Sequence, residues 1–236
     1  MIKHIPNAIT CLNLFAGAMA CIMVLLYDNF IGGLIFICFA AVFDFFDGFA
    51  ARFLKAYSPL GAQLDSLADV VSFGLAPGFI VFQYLLQSSS ATIAARALPF
   101  LALLIPVFAA IRLAKFNIDT KQTDSFLGLP VPANGLFWAS FILAIKISHI
   151  DYSSVSIFIP IGILIFCFLM VCELPMFSLK FKQGGWKNNE WAVVFLLFSL
   201  IIIIAAALLH QFLWSIPTII LLYISMSIVK SLSKHK

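Results

Sequence analysis

Charge is what this chain has least of. Only 14 basic and 10 acidic side chains occur among 236 residues, against 63% hydrophobic residues and 26 phenylalanines. Soluble domains keep about a quarter of their residues charged. The shortage therefore excludes a soluble globular fold and points to a chain embedded in lipid. Cysteine is sparse too. Cys11, Cys21, Cys38, Cys167 and Cys172 all fall inside apolar stretches and form no C-x-x-C pair. They read as packing thiols, with neither a disulfide framework nor a zinc site. The four histidines, His4, His149, His210 and His235, stand at the ends of apolar stretches or at the termini, so nothing singles out a catalytic imidazole. There is no internal repeat and no low-complexity tract. The net charge of +4 is explained by membrane topology below, and it gives no support to a nucleic-acid partner.

Long apolar runs fill the space that charge leaves. They occupy residues 8–27, 30–53, 60–86, 91–116, 131–147, 155–177, 191–209 and 212–229. Each is close to or above the roughly 20 residues that carry a helix across a bilayer. The expectation is an all-α, polytopic bundle of eight transmembrane helices. Residues 1–6 are too short for a cleavable leader and no small-residue cleavage site follows, so the first span is expected to stay in the membrane. Counting Lys and Arg at the span ends puts Lys3, Arg52, Lys55, Arg112, Lys115, Lys121, Lys180, Lys182, Lys187, Lys230, Lys234 and Lys236 on one side. Only Arg96 and Lys146 fall on the other. By the positive-inside rule the rich side is cytoplasmic, and with eight spans both termini lie there. The polar stretch 178–190 divides a six-helix core, 1–177, from a two-helix appendage, 191–236.

Four of the few acids are concentrated in one place: Asp44, Asp47, Asp65 and Asp69. Asp44 and Asp47 are i,i+3 neighbours, and Asp65 and Asp69 are i,i+4 neighbours, so each pair shares one face of its helix. Two such helices side by side gather four carboxylates. Unpaired carboxylates near hydrocarbon are costly and repel one another, whereas hard divalent cations take oxygen donors of this kind. Gly48 and Gly61 carry no side chain and let a ligand or a second helix approach closely. Arg52 adds a planar cation suited to phosphate oxygens. Residues 56–59, Ala-Tyr-Ser-Pro, supply the break that lets the second helix fold back beside the first. Acids at one membrane face, without a repeat, argue against the alternative of a divalent-cation transporter.

The full pattern D-x-x-D-G-x-x-A-R, eight residues, then G-x-x-x-D-x-x-x-D runs here from Asp44 to Asp69. It resembles the signature of the CDP-alcohol phosphotransferases. The resemblance implies an enzyme that displaces CMP from a CDP-linked lipid with an alcohol, using a divalent metal, Mg2+ or Mn2+ with Ca2+ as a further occupant, as two ions. By the same resemblance Asp44, Asp47 and Asp65 are metal ligands, and Asp69 is a metal neighbour that acts as general base. Gly48, Ala51, Arg52 and Gly61 line the CDP site. Further stretches, around Pro6, Asn7, Thr10 and Asn13, 64–74, 112–117 and 126–133, resemble the serine-accepting bacterial branch of that family. They imply CDP-diacylglycerol and L-serine as substrates, a site facing the cytoplasm of the inner membrane, and a homodimer. Pro6, Asn7 and Thr10 then contact the nucleotide, although on their own they read equally as a helix start. Arg112, Lys115 and Asn117, with Phe126, Gly128 and Pro130 in the following loop, would hold serine or the lipid phosphate. Read alone, Arg112 and Lys115 are also interfacial anchors and the loop is also an ordinary turn. Lys115 stands where arginine is more usual in that branch, a point charge in place of a fork. Glycerol 3-phosphate and inositol phosphate remain alternative acceptors.

Overall fold

The computed structural model describes residues 4–88, 96–118, 126–177 and 189–234. Lys3, Lys121, Lys180, Lys182, Lys187, Lys236 and His235, the start of the expected fourth span and most of the 178–190 connection lie outside them, as does the side chain of Phe126. The described chain is helical almost throughout: α1 (Ile5–Leu25), α2 (Phe30–Phe53), α3 (Pro59–Asp69), a π-helical turn (Val70–Leu75), α4 (Ala76–Ser88), α5 (Leu104–Ile118), α6 (Val131–Ile147), α7 (Tyr152–Val155), α8 (Phe158–Val171), α9 (Glu190–Leu208) and α10 (Ser215–Lys234). Short 3-10 turns, Leu98–Leu103 and Phe212–Trp214, lead into α5 and α10. Two two-residue strands, β1 (Phe126–Leu127) and β2 (Pro175–Met176), pair antiparallel. Among the described residues, seven helical segments are long and apolar enough to cross a membrane, and α6 is a shorter apolar eighth. The expectation of an all-α polytopic membrane protein holds.

The boundaries show which local signals act. Asn29 caps α2 by accepting the Gly32 amide at 2.8 Å, and Ser58 caps α3 by accepting that of Gly61 at 3.0 Å. Pro59 sits at the start of α3, where its missing N–H costs nothing. Helix ends turn through left-handed backbone at Asp28, Lys55, His149 and His210, none of them glycine. At three of these ends the following amide returns to a carbonyl five residues back: Ala56 to Ala51, Ile150 to Ile145 and Gln211 to Ala206. That closure satisfies carbonyls which the helix end would otherwise leave open. The sixth span ends earlier than expected. It was read to residue 177, but α8 stops at Val171 and Pro175–Met176 pairs with the strand before α6. Proline at 175 lacks the amide a helix needs, and a short apolar run does not by itself distinguish strand from helix.

Helix α6 is the centre of the bundle. It packs against α2, α4, the π turn, α5, α8 and α10, and its Phe137, Trp138, Ala139, Ile142 and Leu143 are buried. A helix enclosed by protein has no need of a full lipid-facing length. Small residues set the closest approaches. A Cβ on Gly135 would come within 2.9 Å of the Phe73 backbone, and one on Gly17 within 2.7 Å of Ser72 Cα. These contacts lock α1 and α6 onto the π turn immediately beyond Asp69. Outward-facing Phe15, Phe45, Phe49, Phe168 and Leu200 are exposed, as expected where lipid replaces water.

Candidate active site

Three helices meet at one end of the bundle to build the site. The α2–α3 turn, closed by the amide of Ala56 on Ala51 O, folds α3 back so that the acid-bearing faces of the two helices converge. Asp44, Asp47 and Asp65 each place a carboxylate oxygen within 4.8 Å of the others. Asp47 is only 6% exposed, and Asp65 Oδ1 is buried with no hydrogen-bond partner. Three like charges this close, one oxygen orphaned, form an incomplete electrostatic arrangement that a cation completes. Hard carboxylate oxygens are the donor set that Mg2+, Mn2+ and Ca2+ prefer. The residues present therefore fit a divalent metal.

Helix α1 supplies the second layer. Thr10 Oγ1 donates to Asp47 Oδ2 at 2.7 Å and lies 3.0 Å from the carbonyl of Pro6. That hydroxyl orients the carboxylate, as outer-shell partners of metal ligands do. One turn deeper, Asn13 Nδ2 donates to Asp69 Oδ1 at a long 3.4 Å, and Ser72 Oγ donates to the Asn13 carbonyl at 3.0 Å. Asp69, 7% exposed, stands outside the three-carboxylate group, at the end of α3 where the π turn begins. π-Helical turns recur at functional sites because the extra residue re-aims side chains.

In front of the acids lies a groove of about 190 Å³, lined by Pro6, Asn7, Thr10, Asp47, Gly48, Ala51, Tyr57, Gly61 and Asp65 among others. Eight positions singled out in the sequence thus share one wall. A Cβ at Gly48 would meet nothing within 4 Å, so its bareness serves the open groove and not helix packing. Arg52 Nε donates to Gly48 O at 3.0 Å, which folds the side chain back along its own helix.

The second set of expected residues gathers separately. Arg112, 9% exposed, has a buried Nε with no hydrogen-bond partner. It lies within electrostatic reach of Asp69 and of Tyr223 on α10. Arg112 and Lys115 line a cavity of about 260 Å³ with Leu127, Met170, Cys172 and Glu173. Lys115 Nζ donates to Val171 O at 3.4 Å, a cation placed at the end of α8 where helix carbonyls are left open. Asn117 Nδ2 donates to Ser66 Oγ at 2.9 Å, tying α5 to α3 beside Asp65. Gly128 and Pro130 act on the backbone. Gly128 has φ +73°, and a Cβ there would press on the carbonyls of Leu169 and Cys172 at 3.0 Å; Pro130 is the residue that starts α6. The amides of Gly128 and Leu129 donate to Leu174 O and Leu169 O, so the described part of this loop is fastened to the end of α8. Asn13, Ser72, Glu173 and Tyr223 join these sites without having been singled out as binding residues. Asn13 was within reach of the sequence, since it continues the Pro6, Thr10 face at helical spacing, and Ser72 lies in the 64–74 stretch; Glu173 and Tyr223 come from distant elements.

Residues 3–168 match the family model described as CDP-alcohol phosphatidyltransferase, which covers well over half the chain. The chain belongs to that family. Among its relatives is a Bacillus subtilis protein named CDP-diacylglycerol–serine O-phosphatidyltransferase, 34% identical over 192 residues, 80% of this chain and 97% of the relative. Proteins of the same name from Helicobacter pylori and Methanocaldococcus jannaschii are 29% and 33% identical over 84% and 74% of this chain, and over 81% and 87% of their own lengths.

Proposed function

We propose that this protein transfers the phosphatidyl group of CDP-diacylglycerol to the hydroxyl of L-serine, giving phosphatidylserine and CMP. The observation that carries it is the carboxylate trio of Asp44, Asp47 and Asp65, of which Asp47 and Asp65 line the α1–α2–α3 groove; the relatives' printed names support serine as acceptor. In this reading Pro6, Asn7, Thr10, Gly48, Ala51 and Gly61 hold the cytidine diphosphate, with Arg52 as a phosphate cation at the groove's edge. Asp44, Asp47 and Asp65 would hold the metal, Mg2+ or Mn2+ as two ions, which would supply positive charge where the pyrophosphate is cleaved. Asp69, held from Asn13, takes the proton of the serine hydroxyl. The freed oxygen forms a bond to the phosphorus that carries diacylglycerol, the bond from that phosphorus to CMP breaks, and CMP leaves with the charge. Burial of Asp69 keeps bulk water off the base.

The same proposal puts the groove and both termini on the cytoplasmic side of the inner membrane, treats 1–177 as the catalytic core with 191–236 as an appendage, and includes self-association as a homodimer, carried by family resemblance alone. The test is an acceptor screen. Purified protein with CDP-diacylglycerol and Mn2+ or Mg2+ is expected to release CMP with serine and not with glycerol 3-phosphate or inositol phosphate. Release with one of the phosphorylated alcohols and none with serine overturns the assignment of the acceptor.

A further inference from the structure

The cavity beside Arg112 holds an acid as well as a cation. Its wall runs from α5 (Arg112, Lys115, Phe116, Ile118) across Leu127 to the end of α8 and the turn beyond it, where Glu173 is the one carboxylate among the described lining residues. Arg112 forms the buried floor, with Nε unpartnered, and Glu173 sits on the exposed rim. Lys115 shares the cavity wall with its Nζ turned to the Val171 carbonyl; Arg112 is the buried cation of the lining and Glu173 the opposite charge. No ion pair joins Glu173 to Arg112 among the described residues. A cavity with a separated anion receptor and cation receptor matches a small zwitterion. An alcohol phosphate, which carries negative charge and no cation, would meet Glu173 as a repulsive wall.

We infer that Glu173 is a specificity-determining residue that receives the α-ammonium of an amino-acid acceptor while Arg112 receives its carboxylate. This rests on the proposed function and deepens it. Arg112 also lies within electrostatic reach of Asp69, the proposed base. Among the described residues that line this cavity, Glu173 is the carboxylate available to an ammonium. Glu173 also lies beyond the stretch matched by the family model, which ends at residue 168.

The experiment uses the full-length protein in mixed micelles and measures CMP release with serine and with 3-hydroxypropionate, which keeps the hydroxyl and carboxylate and lacks the amine. Glu173→Gln is expected to raise the KM for serine by roughly tenfold or more, the scale of one hydrogen bond to a charged group. The KM for CDP-diacylglycerol should stay within about twofold, which doubles as the check that the variant folds. Preference for serine over 3-hydroxypropionate should shrink by a similar factor, and Glu173→Asp should recover part of it. A serine KM unchanged in Glu173→Gln, or an equal rise for both substrates, overturns the inference while leaving the proposed function standing. Absence of serine-dependent CMP release from the unaltered protein overturns the function, and this inference with it.

Discussion

Thr10 illustrates how single residues tune the acid cluster, since its hydroxyl, 2.7 Å from Asp47 Oδ2, holds one carboxylate in place without touching the others. Thr10→Val keeps the shape and removes the donor. Divalent-ion affinity should fall by about 10- to 100-fold, the usual effect of losing an outer-shell partner, as read from Mn2+ titration of activity and from Mn2+ binding by electron paramagnetic resonance. Asn at Asp44, Asp47 or Asp65 removes a ligand charge itself. Turnover is expected to drop by at least about 100-fold, as when a principal electrostatic stabiliser is lost, and EDTA should stop the reaction; full activity in the chelator would rule out a metal mechanism. Asp69→Asn separates base from ligand. CDP-diacylglycerol should still bind while the rate of CMP release falls by about 10² to 10⁴, and weak lipid binding with normal turnover at saturation would make Asp69 a binding residue instead.

At the scale of elements, glycines with opposite roles lie on two helices. On α6, Gly135 is pressed against the Phe73 backbone, whereas on α2 Gly48 faces open space. Gly135→Ala should therefore cost stability, about 1 to 3 kcal/mol for overpacking a close helix contact, seen as a lower melting temperature in detergent. Gly48→Ala should melt with the parent protein and raise the KM for CDP-diacylglycerol. Equal melting shifts in the two variants would mean that Gly48 is a packing residue. The helices themselves were legible: Pro130 and the polar Ser148 bracket 131–147, and the structure returns Val131–Ile147. The π turn after Asp69 was not. Its extra residue answers to Ser72 bonding the Asn13 carbonyl and to Gly135 meeting Phe73, contacts between elements far apart in the chain.

Across the whole molecule the acid cluster marks one end, and a polar knot marks the other. Lys146 Nζ donates to Gln87 Oε1 at 3.1 Å, stands 3.7 Å from Asp28 Oδ2, and lies over the Phe30 ring at 3.6 Å. It joins the α1–α2 turn, the end of α4 and the end of α6 at the face away from the groove. The proposed orientation makes this knot the outer face. In a background with the five cysteines replaced by alanine, Tyr57→Cys, on the exposed α2–α3 turn, should react with an impermeant maleimide only from the cytoplasmic side. Leu26→Cys, on the exposed α1–α2 turn, should react only from outside; the reverse pattern would invert the topology. The last two helices are not loosely attached. Tyr223 donates to Phe177 O at 3.0 Å and packs on Phe177 and Phe195, and Trp214 Nε1 donates to Ser148 Oγ at 3.1 Å.

By itself the amino-acid sequence determined that this is a lipid-embedded helical chain, where most spans lie, and which aspartates belong together. Those properties depend on local quantities: apolar run length against bilayer thickness, and three- and four-residue spacing on a helix. Tertiary structure alone decided that Asp69 has Asn13 as its partner. It alone ended α8 early to make a strand, and it alone brought Glu173 and Tyr223 to the neighbourhood of Arg112. The physical reason is that lipid treats every apolar helix alike, so which faces meet is settled by close packing of small residues and by buried polar groups finding partners, and both depend on atoms distant in the chain.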